Sequence, residues 1–219
     1  MTANLITLTA PRSAAAEAYR TLRTNLMFSK LKSDAPLHTI MLTSAADSED
    51  KSAACANLAV AFAQAGNKVI LVDADLRRPL QHDIWGIANQ RGLMTLMQDD
   101  AALAEPPLVA TGVDGLSVLP TGDLPPIPAD VLSNPRLREV IGVLKARADY
   151  IIFDTAPVLA ATDAALLSSC VDGVLLVVRA AHTRRDHVAQ AKQTLERVNA
   201  HLIGSVLTNA PDDGMKGYN

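Results

Sequence analysis

Short, almost uninterrupted apolar runs alternate along the chain with longer stretches in which apolar and polar residues recur at helical spacing. That alternation is the pattern of βαβ units wound around a parallel sheet. The runs predict strands over Thr39–Ser44 (TIMLTS), Val69–Asp73 (VILVD), Leu116–Pro120, Tyr150–Asp154 (YIIFD), Gly173–Val178 (GVLLVV) and Ile203–Thr208. Continuous rather than alternating hydrophobicity marks central strands covered by helices on both faces.

The stretches between them predict helices over Ser13–Lys30, with Ser13 as its cap, over Ser52–Ala65, ended by Gly66, and over Pro135–Ala148 and Thr183–Ala200. Glu105–Pro135, rich in proline and punctuated by glycine, reads as a structured surface excursion. The expected division is an N-terminal helix and lead-in over residues 1–36, one α/β domain over 37–210 and a flexible polar tail over 211–219.

A chain of 219 residues suffices for one large domain with a substantial core. A net charge of −3 and an aromatic content of 3% leave neither the basic footprint nor the stacking platforms of a nucleic-acid binder. Cys55 and Cys170 lack metal-ligand spacing and read as two reduced thiols, and no histidine pairs with a cysteine or second histidine at ligand spacing. No segment approaches the ~20 apolar residues that cross a bilayer, and the first residues lack the features of a signal peptide. A cytoplasmic protein is expected.

Strand ends carry the candidate chemistry. The first strand runs into Ser44-Ala-Ala-Asp-Ser-Glu-Asp-Lys51-Ser52 and then a helix, the setting of a phosphate-binding loop in which Lys reaches phosphates and the hydroxyl coordinates magnesium. The second strand delivers Asp73 and Asp75 (VDADLRRP), and the next core strand, Tyr150–Asp154, delivers Asp154 (IIFDTAP). In a parallel sheet these ends gather along one edge, where ligands of open α/β folds bind. Carboxylates beside a hydroxyl suit Mg²⁺. Each signal alone is weak, because an aspartate ending a strand is usually a polar terminus; their order and placement together are specific.

VILVDADLRRP (69–79) with His82 and Gly92-Leu93, and YIIFDTAPVLAATDA (150–164), resemble the Walker A′ and Walker B blocks of the bacterial tyrosine kinases of capsular polysaccharide synthesis. Glu17-Ala-Tyr-Arg20-Thr-Leu-Arg23 resembles that family's oligomerisation helix, and Pro128-Ala-Asp-Val-Leu132 its Pro-x-x-Leu-Leu segment. The resemblance covers nearly the whole chain. It implies a P-loop NTPase-like three-layer sandwich with a mainly parallel sheet, ATP and Mg²⁺ as cofactors, and tyrosine autophosphorylation linked to exopolysaccharide synthesis and export. By position it implies Lys51, Asp73 and Asp75 as catalytic, Lys51, Ser52 and Asn209 as nucleotide-binding, and Ser52, Asp73 and Asp154 around the metal. It further implies subunit contacts through Glu17, Arg20 and Arg23 in a homo-oligomer or family co-oligomer. A membrane-embedded polysaccharide co-polymerase would be the activator, recruiting the chain to the inner face of the plasma membrane.

The departures from the family are local. Where its loop reads Pro-Gly-Glu-Gly-Lys-Ser, this chain has Asp47-Ser48-Glu49-Asp50-Lys51-Ser52. A Cβ obstructs the backbone angles with which such a loop wraps phosphates, and a residue held in a poor conformation costs on the order of 1–3 kcal/mol. Asp47 and Asp50 also add negative charge where a polyphosphate would sit; one like-charge contact at ~4 Å costs roughly 4 kcal/mol at an effective dielectric near 20. Impaired ATP binding is expected. The tail holds one tyrosine, Tyr218, as phosphoacceptor candidate in place of the family's cluster, while Tyr19 and Tyr150 read as structural. Arg77, Arg78, Arg184 and Arg185 read equally as solvated arginines or as contacts for acidic partners.

Three functions compete. A pseudokinase-like oligomerising partner follows from the damaged loop, and an active autokinase with an atypical loop from the retained carboxylates. A partitioning-type ATPase shares the fold but carries a lysine where Ala46 stands. A dinucleotide-binding oxidoreductase is disfavoured because no G-x-G-x-x-G follows a strand.

Overall fold

A computed structural model describes residues 5–29, 36–47 and 50–211. The chain forms, in order, α1 (Ile6–Thr9), α2 (Ala14–Met27), β1 (Thr39–Ser44), α3 (Lys51–Ala63), β2 (Val69–Ala74), α4 (Gln81–Trp85), α5 (Leu93–Gln98), α6 (Asp100–Ala104), β3 (Val109–Ala110), β4 (Leu116–Leu119), α7 (Pro128–Ser133), α8 (Arg136–Lys145), β5 (Tyr150–Thr155), α9 (Asp163–Ser168), β6 (Gly173–Arg179), α10 (Arg185–Arg197) and β7 (Leu202–Thr208). The six predicted strands are present within a residue or two. The short β3 pairs antiparallel with β4 inside what reads from sequence as a surface excursion, which also holds α7.

The seven strands are ordered β3-β4-β2-β5-β1-β6-β7, and every pairing other than β3–β4 is parallel. Alternate strand residues point to opposite faces. Ile40, Leu42, Leu71, Ile152 and Leu175 join the core beneath α3, whereas Met41, Val72, Phe153 and Leu176 join the core beneath α8, α9 and α10. The result is the three-layer α/β sandwich expected from the sequence.

The alanine-rich composition of α3 has a structural cause. Twelve of its thirteen residues are buried, because it lies between the sheet and an outer layer made by α1 and α2. A helix covered all round must be apolar all round, and small side chains let both layers approach. Asn57, near its centre, accepts hydrogen bonds from Thr7 N and Thr7 Oγ1 at 3.0 and 2.9 Å. Ser13 caps α2 by accepting from Ala16 N, as the sequence predicts. Gly66, with φ of 86°, turns the chain out of α3. No helix of the described residues is long and apolar enough to cross a membrane.

Candidate functional site

Three strand ends and one helix start converge. β2 and β5 are neighbours in a register that places Asp73 opposite Asp154, and Leu42 of β1 lies opposite Asp154 on its other side. Both carboxylates have no exposed surface. α3 begins at Lys51 directly above them, and the Lys51 ammonium is hydrogen-bonded to Asp154 Oδ1 and 3.5 Å from Asp75 Oδ2. Ser52 Oγ is also 3.5 Å from Lys51 Nζ. The residues expected from sequence to bind phosphate and metal, Lys51, Ser52, Asp73, Asp75 and Asp154, therefore share one buried cluster.

The main chain after β2 wraps the acidic groups. Asp73 Oδ1 accepts from Asp75 N at 3.2 Å, and its Oδ2 accepts from Leu80 N and Gln81 N at 3.1 and 2.9 Å. Asp75 Oδ1 accepts from Arg77 N and Arg78 N. Burial and the adjacent Asp154 charge nevertheless push the Asp73 carboxyl well above the usual carboxylate range, against the pull of the Gln81 amide. Asp75 is raised by burial, with Lys51 opposing. Burial works against the Lys51 charge, but Asp154, with Cys55 and Asp75 beyond it, more than restores it and holds the lysine above its ordinary value. Three acids facing one ammonium leave a negative excess that a divalent cation would relieve.

Among the described residues no three acidic, histidine or cysteine side chains are disposed to hold a metal by themselves. Mg²⁺ keeps most of its waters and takes one or two protein ligands together with substrate phosphates. The Ser52 hydroxyl and the Asp154 and Asp73 carboxylates are hard oxygen donors, the class such an ion takes, and both carboxylates also accept hydrogen bonds from the protein.

The phosphate loop is shaped by its acidic residues. Asp50, the residue before α3, has a left-handed backbone with φ of 57°, the conformation for which glycine is the usual choice. Its Oδ2 lies 3.4 Å from Arg179 Nε at the end of β6, and Asp47 Oδ2 lies 3.2 Å from Arg78 Nη1. The two carboxylates expected to face a polyphosphate are thus each turned onto an arginine of the same chain. Ser48, Glu49 and Tyr218 lie outside the described residues. Asn209 follows β7 in a left-handed conformation on the exposed surface.

Other arginines are also taken up internally. Arg77 makes a bidentate pair with Asp163 at 2.9 and 3.0 Å, and Arg184 pairs with Asp186. On α2, Arg20 pairs with Glu17 at 2.7 Å, while Arg23 Nη1 donates to the Ala61 carbonyl of α3 at 3.1 Å. Tyr19 and Tyr150 pack against the core beneath α3, Tyr150 with its ring 4.3 Å from that of Phe62. Sequence reasoning missed Gln81 and Asp163, both fully buried. The one available signal for Asp163 was an acidic residue at a helix start.

A family profile described as an AAA domain matches residues 40–207. Tyrosine-protein kinase YwqD of Bacillus subtilis is 39% identical over 207 residues, covering 94% of this chain and 86% of that protein. The chain belongs to the bacterial tyrosine kinase family. Among solved bacterial tyrosine kinases, the kinase domain of Escherichia coli ETK superposes with a TM-score of 0.88 at 28% identity, covering 100% of this chain and 85% of that one. The chimerical protein CapA2B2 gives 0.87 at 34% identity, covering 95% and 90%. Membership accounts for the P-loop NTPase-like sandwich and for a nucleotide and Mg²⁺ as the general ligands of the fold, and the capsular branch fits the relatives. The family resemblance read from the sequence is thereby shown.

Proposed function

We propose that this bacterial tyrosine kinase binds ATP weakly and transfers phosphate poorly, and that it serves as an oligomerising partner in the regulation of exopolysaccharide or capsule synthesis and export. The observation that carries this reading is the state of Lys51. Its ammonium is engaged by Asp154 and Asp75, and the loop before it holds acidic side chains where relatives hold glycine. To receive a phosphate, Lys51 has to leave a buried carboxylate, and Asp154 then needs another cation. Binding on this reading depends on magnesium, with Ser52, Asp73 and Asp154 around the metal and Asn209 toward the base. Magnesium would supply charge neutralisation between the phosphates and these carboxylates. Asp73, pushed up by burial and by Asp154, suits a proton acceptor, with Asp75 beside it.

The N-terminal helix supports the partner role only in part. Glu17 is exposed and Arg20 half-buried, paired with each other and, through Arg20, with Pro11 O, whereas Arg23 is committed to α3. Contacts with a second copy, and with a membrane-embedded co-polymerase that recruits the chain to the membrane, belong to the same proposal.

A second reading, an active autokinase with an atypical loop, is favoured by one observation. Asp50 adopts a left-handed turn into α3, and Asp47 and Asp50 each pair with an arginine, so that turn and the offset of both charges are in place without the glycines. Calorimetric titration with Mg·ATP separates the two. Affinity in the micromolar range, with label from ATP appearing on Tyr218, establishes the second reading. Millimolar or absent binding, with no label even beside a co-polymerase activator, establishes the first.

A further inference from the structure

Gln81 opens α4 with none of its surface exposed. Its Nε2 donates to Asp154 Oδ2 at 2.8 Å and to the Ser52 carbonyl at 3.0 Å. Its Oε1 accepts from the Trp85 indole at 3.2 Å, and its main-chain N–H donates to Asp73 Oδ2 at 2.9 Å. The amide has a single satisfiable orientation. An indole nitrogen only donates, so the oxygen must face Trp85 and the nitrogen must face the two acceptors. One side chain therefore ties the end of β5 to the first turn of α3 and to α4, and its backbone ties in the end of β2.

The division of labour at Asp154 gives this arrangement a purpose beyond filling space. Lys51 holds Oδ1 and Gln81 holds Oδ2. When Lys51 turns to a phosphate, the Gln81 amide still holds Oδ2 of the carboxylate, with the Cys55 thiol as its other side-chain hydrogen-bond partner. Partners of this kind set the aim of a metal-binding carboxylate, and their loss typically weakens metal affinity about 10–100-fold. We propose that Gln81 is a positioning residue for magnesium, acting through Asp154, and that Trp85 locks the Gln81 amide and reads its state. The metal part rests on the reading of the cluster as a magnesium–nucleotide site.

Trp85 is the chain's one tryptophan and is buried, so its emission reports this contact without any ligand. In the nucleotide-free protein, Asp154→Asn is expected to shift the Trp85 emission, and the shift is expected to vanish when Gln81→Met is also present. No shift on Asp154→Asn, or the same shift with and without Gln81→Met, overturns the link between Asp154 and Trp85; the single variant alone suffices if Gln81→Met does not fold. Nucleotide binding is then measured by calorimetry with Mg·ADP and with ADP in EDTA, using the full chain carrying Ser48→Gly and Asp50→Gly. Gln81→Met is expected to cut the affinity gained from magnesium about 10–100-fold and to leave affinity in EDTA within a factor of about two. Equal losses in both conditions assign Gln81 a packing role and overturn the proposal. Absence of any binding with Gln81 intact overturns the nucleotide-site reading and the metal part with it, while the emission experiment still decides whether Gln81 holds Asp154.

Discussion

Asp50 and Arg179 meet at the mouth of the phosphate loop, Oδ2 to Nε 3.4 Å apart, with the Asp50 backbone held at a φ of 57°. The pair reconciles two demands. The turn into α3 requires a left-handed residue, and aspartate is among the few non-glycine residues that visit that region readily. The carboxylate that comes with it is drawn sideways onto an arginine. The side chains of this pair are partly exposed, and such surface pairs contribute only about 0–1 kcal/mol. An incoming polyphosphate can compete for Arg179, but it leaves Asp50 as a charge beside it.

Replacing Asp50 therefore tests the loop directly. Asp50→Gly removes the charge and keeps the turn, so it is expected to tighten Mg·ATP binding about 10-fold, and Ser48→Gly with Asp50→Gly about 100-fold, equivalent to roughly 3 kcal/mol. Calorimetry checks this. Unchanged affinity in both variants would locate the impairment elsewhere than in the loop.

Lys51 is the counter-charge of the buried acids as well as the expected phosphate ligand. Lys51→Met leaves Asp154 and Asp75 facing each other without a cation. Removing one partner of a buried pair costs about 3–5 kcal/mol, which lowers the melting temperature by roughly 6–20 °C for a domain of this size. Adding Asp154→Asn should recover a large part of that loss, because the orphaned charge is gone. A double variant no more stable than Lys51→Met would show that the two residues are not coupled.

The strands and long helices were legible because each carries its own signal, a continuous apolar run or a helical period. The helices α1, α4, α5, α6 and α9 span four to six residues, too short to display a period, and the sequence gives no warning of them. The acids of the site were legible because strand direction alone brings Asp73 and Asp154 to one edge. Gln81 was not, since its role appears only once the chain after Arg78 folds back over the end of β2. The Arg77–Asp163 pair spans 86 positions, and no local pattern joins them. The missing glycines are plain in the sequence, but the arginines that meet Asp47 and Asp50 come from the β2–α4 connection and β6, which only the tertiary fold places beside them.

The carboxyl cluster also predicts the acid–base behaviour of stability. Asp73 and Asp75 are raised in the folded state from an ordinary 3.8, so above that pH the folded protein retains protons that the unfolded chain has released. Their contribution is fully present below about pH 4 and is lost as pH rises through the raised values, with a slope of at most about 1.4 kcal/mol per pH unit per group. Asp172 is lowered and acts in the opposite sense: burial raises it, but Thr39, His38 and Lys145 outweigh that, so its contribution is lost as pH falls below about 4. Asp154→Asn removes the neighbouring charge that raises Asp73. Melting temperatures between pH 5 and 8 should decline in the parent protein relative to Asp154→Asn; parallel curves would refute the coupling.

Arg77 and Arg78 are adjacent, yet they should differ sharply. Arg78 meets Asp47 with both side chains more than half exposed, and Arg78→Ala should change stability by less than about 1 kcal/mol. Arg77 instead reaches a carboxylate, Asp163, with no exposed surface. Its guanidinium donates two hydrogen bonds to Asp163 and is its charge partner among the described residues, pinning the connection that carries Asp75 to the start of α9. Arg77 itself is 44% exposed in its side chain, so water can enter in its absence and the full cost of an orphaned buried charge does not apply. Arg77→Ala should lose roughly 2–3 kcal/mol, below the range for a fully buried pair. Arg77→Lys keeps the charge but not the two parallel bonds and should lose about half as much. Urea unfolding of the three variants checks the order, and Arg77→Ala matching Arg78→Ala would mean that Asp163 is satisfied without its arginine.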